Sequence, residues 1–122
     1  MQIQSLKPVL RTWDIPGTID FYTEILGFEC NAYDADWGWA VLIRNQVELM
    51  LSGPNEHEGD RSPCFTGSIY FVCDDIDELF DRIQDRVKVC YPIADFEYGM
   101  REFAIYDNNG YLLQFGKELE NG

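Results

Sequence analysis

Histidine, cationic side chains and long apolar runs are what this chain of 122 residues has least of. His57 is the one histidine, and it lies in the polar stretch Gly53–Pro63. Cys30, Cys64, Cys73 and Cys90 are scattered, with no C-x-x-C pair. A zinc site of sulfur and imidazole needs clustered donors, so none is expected. A Cys–His nucleophile pair would have to use His57 in a loop, which is poorly suited to holding the geometry that activates a thiol. Cys73 sits in an apolar run and reads as a small core residue. No stretch approaches the roughly 20 apolar residues of a membrane-spanning helix. Met1 to Lys7 shows no charged-then-apolar leader, so the cytoplasm is the expected compartment and disulfides are not expected.

The shortage of positive charge is the strongest compositional signal. Nine Lys and Arg face 22 Asp and Glu, for a net charge of −13. Nucleic-acid phosphate and anionic lipid are repelled by such a chain, so neither is an expected partner. A cationic ligand would be attracted. The plainer reading, that the acid keeps the protein soluble, also fits.

With 46% hydrophobic residues, the chain suits one compact domain. Lys7–Trp13 reads as a strand with Pro8 near its start. Asp14 offers an N-cap, Pro16 fits the first turn, and Ile19, Tyr22, Ile25 and Leu26 form a helical stripe that Gly27 can stop. Three strand-like segments follow, at Phe28–Asp34, Trp39–Arg44 and Val47–Ser52, with Asn45-Gln46 as a tight connection. After the polar stretch, Ser68–Cys73 is a strand, Asp74 or Asp75 caps a helix, and Ile76, Leu79, Phe80 and Ile83 form its apolar face. Val87–Tyr91, Glu102–Tyr106 and Tyr111–Phe115 complete the set, with Asn109-Gly110 as a hairpin signal. The order is βαβββ twice, and Asp14 and Asp75 stand half a chain length apart. The expected fold is therefore α+β in a single domain, with module 1 over about 1–56 and module 2 over about 64–122. Neither module can bury a sheet face alone, so the two are expected to form a curved mixed sheet around a cleft.

Val9-Leu10-Arg11-Thr12-Trp13-Asp14-Ile15, Thr18-Ile19-Asp20-Phe21-Tyr22 and Leu26-Gly27-Phe28 resemble the opening module of the vicinal oxygen chelate superfamily. That group includes glyoxalase I, extradiol dioxygenases, fosfomycin-resistance enzymes and bleomycin-resistance proteins. Gly99-Met100-Arg101-Glu102-Phe103-Ala104 and Tyr106-Asp107-Asn108-Asn109-Gly110 resemble its G-x-R-E-F-x-x-x-D-x-x-G pattern, most like the bleomycin-resistance branch. The resemblance covers nearly the whole chain, the Gly53–Pro63 loop least.

Metal-dependent members carry ligands early in the first strand and on the last strand of each module. Those places hold Lys7, Glu48, Ser68 and Gln114 here. Glu48 is a good ligand, Gln114 a passable one and Ser68 a weak neutral donor. Lys7 has no lone pair to give and would repel a divalent ion. The resemblance thus implies a dismantled metal centre, with no cofactor expected. Lys7 and Glu48 are expected to form a buried pair instead.

Without the ion, the chemistry that polarises vicinal oxygens goes too, and a binding pocket remains. Tyr33, Trp37 and Trp39 gather around the first module's middle strand, and Phe96 and Tyr98 precede Gly99. In the bleomycin-resistance branch, aromatics in matching segments clamp the drug's flat bithiazole tail. Such rings suit a planar or cationic guest, and Asp34, Asp36, Glu97 and Glu102 lie close in sequence to meet positive groups. Trp39 and Phe96 read equally well as core residues. The family also forms homodimers whose clefts use both chains. The first reading is thus a non-catalytic protein that sequesters a cationic glycopeptide antibiotic or similar flat ligand. Its expected contacts are Tyr33, Trp37, Trp39, Glu48, Phe96, Tyr98, Glu102 and Gln114. A metal-dependent lyase, isomerase or dioxygenase with a residual site on Glu48 and Gln114 is the second. An interaction or regulatory domain with a filled cleft is the third.

Overall fold

The computed structural model describes residues 1–54 and 62–120. His57 and most of the Gly53–Pro63 stretch lie outside them. The chain divides into two compact units, residues 1–64 and 65–122. Each repeats one plan: a four-stranded sheet whose first strand runs parallel to the fourth and whose other neighbours are antiparallel, with one helix between the first and second strands.

In the first unit, β1 (Val9–Arg11), β2 (Glu29–Asp34), β3 (Trp39–Arg44) and β4 (Val47–Ser52) stand in the order β1-β4-β3-β2. Leu10, Ala40, Leu42, Leu49 and Leu51 alternate with more exposed neighbours and are fully buried. Their face meets helix α1 (Ile15–Asp20). Hydroxyl groups set the helix start. Thr18 Oγ1 donates to the Asp14 carbonyl, so the Thr12 hydroxyl donates to Thr18 and accepts from the Asp14 amide. Asp14 Oδ1 caps the Gly17 amide, as expected of an N-cap.

The helix does not run regularly to Gly27. It widens into a π-helical turn over Phe21–Ile25. A π turn takes more residues than an α turn and rotates the stripe. Tyr22 and Leu26 are consequently buried, while Ile19 and Ile25 are only half-buried. Gly27 closes the segment at φ 73°, and Arg44 Nη1 donates to the Leu26 and Gly27 carbonyls at 3.2 and 3.1 Å.

In the second unit, β5 (Ile69–Val72), β6 (Lys88–Asp95), β7 (Met100–Tyr106) and β8 (Leu112–Glu118) stand in the order β5-β8-β7-β6. Ile76, Phe80 and Ile83 of α2 (Ile76–Ile83) are buried on the face shared with Phe103, Ile105, Leu113 and Phe115. The expected side-chain cap is absent. Asp75 stands before the helix in the left-handed region (φ 34°, ψ 41°), and its carboxylate makes no capping bond. Arg101 ties the helix to the sheet instead, bonding Asp77 on α2 and Asp95 on β6. The two carboxylates push the Arg101 guanidinium further up, and Arg101 holds the Asp77 carboxyl below its usual range.

β6 runs past Tyr91, where it was expected to stop, through Pro92 to Asp95. As an edge strand it tolerates the missing proline amide. Its register slips between Val89 and Tyr91 and again before Ala94.

Gly27→Ala should destabilise the first unit by about 1–2 kcal/mol, the cost of a left-handed L-residue. A Cβ there would also lie 2.0 Å from Arg44 Nη1, forcing it off the helix end. Urea unfolding checks this, and Gly27→Asn should cost less.

Candidate functional site

Residues paired across adjacent strands share a sheet face. On the second unit's face away from α2, the register therefore gathers Tyr70, Tyr91, Glu102, Ala104, Gln114 and Gly116. Glu102 is fully buried. A buried carboxylate is tolerated only if its oxygens are bonded. Tyr70 donates to Oε1 at 2.9 Å, and Tyr91 donates to Oε2. Gln114 Nε2 donates to the Tyr91 oxygen at 3.0 Å, and Ser68 Oγ donates to Gln114 Oε1 at 2.5 Å. One connected chain of hydrogen bonds thus runs from Ser68 to Tyr70 through the carboxylate.

Two backbone features build it. Without the slip at Cys90, Tyr91 would oppose Phe103 on the helix-facing side. The bulge pairs it with Ala104 and turns it to the open face. Tyr70 crosses β8 above Gly116, where a Cβ would lie 1.8 Å from its hydroxyl oxygen.

The turn after β6 adds a stacked pair. Gly99, at φ 88°, closes Phe96–Gly99. The Phe96 and Tyr98 rings lie 5.5 Å apart at 17°, and Tyr91 meets Phe96 edge-on at 5.5 Å. Tyr98 is 64% exposed, so its outer face is open to a ligand, whereas Phe96 is half-buried beneath that stack. Loss of solvent raises the Tyr98 phenol, as do the hydrogen bond to Glu102 and its charge. The same causes, in that order, push Tyr70 up to about 12. Loss of solvent and the bond to Glu102 also raise Tyr91, against a smaller lowering by the hydrogen bond from Gln114.

In the first unit, Tyr33, Trp37 and Trp39 lie around the middle strand but do not share one face. A bulge between Cys30 and Ala32 pairs Tyr33 with Ala40, on the helix side, and Asp34 with Trp39 on the open side. Trp37 lies in the β2–β3 turn, 81% exposed, its amide held by Asp34 Oδ1 at 2.9 Å. Trp39 is half-buried rather than core. Lys7 Nζ bonds Glu48 Oε2 at 2.9 Å, but the pair is only part-buried, with side chains 46% and 27% exposed.

Over residues 4–115 the sequence matches the Glyoxalase/Bleomycin resistance protein/Dioxygenase superfamily, and the chain belongs to that superfamily. A comparison with curated proteins returned no match. Among solved structures, it is similar to a glyoxalase/bleomycin resistance protein/dioxygenase from Nocardioides, at 19% identity and TM-score 0.79, covering 100% of this chain and 87% of that one. TioX from Micromonospora sp. ML1 is similar at 20% identity and TM-score 0.75, covering 95% and 99%. A lactoylglutathione lyase from Agrobacterium tumefaciens is similar at 19% identity and TM-score 0.73, covering 93% and 92%. At these identities the likeness is one of fold.

The residues at the superfamily's metal positions do not fit a metal ion. In the first unit, Lys7 offers an ammonium and already binds Glu48. In the second, Ser68 and Gln114 bond each other. Among the described residues, no group of three or more His, Cys, Asp or Glu is placed to hold a metal. None of the described helices is long and apolar enough to cross a membrane.

A raised phenol favours the folded state while it stays protonated. The Tyr70 contribution is therefore full below its unfolded value near 10 and is lost as pH climbs toward about 12. Gly116→Ala, which displaces the Tyr70 hydroxyl, should return one phenolate absorbance step toward pH ~10 and flatten the alkaline loss of stability. Spectrophotometric titration beside urea unfolding measures both.

Proposed function

We propose that this is a non-catalytic small-molecule-binding protein whose ligand is flat and positively charged, of the bleomycin class. The observation that carries the reading is the aromatic-flanked carboxylate on the second unit's open face, with Glu102 held by Tyr70 and Tyr91 and the exposed Tyr98 ring stacked on Phe96. A flat ring can stack on Tyr98, and a cation gains from the nearby carboxylate and the electron-rich phenol faces. The −13 charge of the chain draws such a ligand in from a distance. The donor sets at the superfamily's metal positions support the non-catalytic part, because each is spent on a partner within its own unit. The reading takes a homodimer as the working unit, following the family resemblance. Sedimentation at micromolar concentration that gave a single-chain mass would remove that part.

Calorimetry with metal-free bleomycin, repeated with its copper complex, tests the reading. The expected result is saturable heat, and a Tyr98→Ala variant about tenfold weaker through faster dissociation. Raising salt should mainly slow association, since attraction is screened over roughly 10 Å at 0.1 M. Absence of heat at millimolar drug would remove the bleomycin-class reading.

A further inference from the structure

The hydrogen-bond chain around Glu102 gives each phenol a direction. A phenol has one proton to donate. Tyr70 and Tyr91 both commit theirs inward, to the two oxygens of Glu102. Tyr91 also accepts from Gln114, so its oxygen is occupied on a second side. The Tyr70 hydroxyl is different. Its proton is directed at the carboxylate, and the residue is 39% exposed. What it can offer a ligand is therefore a lone pair, on an oxygen made more basic by the charge it donates to.

The negative charge is not dissipated by its neighbours. The phenols that hold Glu102 are neutral, so its field reaches the surface that Tyr70 and Tyr98 cover, where it is screened less than in open water. The same sheet face already seats one cation on a phenol. Lys88 Nζ lies 5.2 Å from the centre of the Tyr106 ring, and the register puts both on the Ala104–Gln114 side.

We propose that Glu102 is the residue that sets ligand specificity here: by holding the Tyr70 and Tyr91 protons inward, it makes this face an acceptor for a positively charged N–H group lying against Tyr70 and Tyr98. The proposal rests on the binding reading above and narrows it from flat ligands in general to flat cations that carry an N–H donor, an aminoaromatic cation or an amidinium. Glu102 acts through the phenols and its charge, as it is itself fully buried. An amide in its place would reverse part of the pattern. Its oxygen would accept from one tyrosine, while its NH2 would donate to the other and turn that proton outward.

The test compares proflavine, a flat aminoaromatic cation in mildly alkaline buffer, with acridine, which has the same three-ring skeleton and is neutral there. Fluorescence titrations are run on the wild type, Glu102→Gln and Tyr70→Phe, with circular dichroism to check the fold. The wild type should prefer proflavine by at least about tenfold. Glu102→Gln should abolish that preference by weakening proflavine relative to acridine. A folded Glu102→Gln that keeps the full preference overturns the proposal and leaves the binding reading standing. If Glu102→Gln does not fold, Tyr70→Phe decides: loss of preference supports the proposal, and full retention overturns it. A wild type that binds neither dye removes both.

Discussion

A carboxylate with no exposed surface must be bonded at both oxygens, and most of the second unit's open face follows from meeting that demand at Glu102. Tyr70 reaches Oε1 only because Gly116 leaves room above β8. Tyr91 reaches Oε2 only because β6 slips one residue and turns its ring to the open side. The same slip brings Tyr91 against Phe96, on which Tyr98 stacks. One buried charge thereby connects a missing Cβ, a strand irregularity and an exposed aromatic surface.

The two units share a plan but fill the same polar position differently. Before the first strand and on the last, the first unit has Lys7 and Glu48 and the second has Ser68 and Gln114. Each couple is joined directly, by an ion pair in one unit and a neutral hydrogen bond in the other. The Lys7–Glu48 pair is part-exposed, so its contribution to stability is small, as is usual for ion pairs in contact with water. Its consequence is chemical, because it occupies the one strong oxygen ligand with a cation.

Much of the fold was legible in the sequence. Alternation marked β3 and β4 to the residue, Asp14 and Gly27 bracketed the first helix, and the Asp107–Gly110 turn was plain from Asn109-Gly110. Bulges were not legible, and they decided the site. A one-residue slip carries no composition signal in Asn31 or Cys90, yet it moves every later side chain to the other face. That is why Tyr33 parts from Trp39, and why Tyr91 joins Glu102 although nothing in its own segment marked it. Glu102 read as one of several acids beside the aromatics that could meet a positive group, and nothing in its sequence neighbours marked it as buried. Its burial depends on Tyr70 and Tyr91, which stand 32 and 11 residues away. Gly116 was the signal that was present and overlooked, a glycine within a strand that marks close approach by another group.

The donors at the positions matched to the superfamily's metal ligands are committed to partners inside each unit, Lys7 to Glu48 and Ser68 to Gln114. Thermal unfolding with and without saturating Mn, Ni or Zn, beside equilibrium dialysis, tests this most directly, because a metal bound only by the folded state must raise its stability. With those donors already paired, the midpoint should stay unchanged and no stoichiometric metal should be found. A clear rise with about one ion per chain, lost in Glu48→Gln, would contradict it.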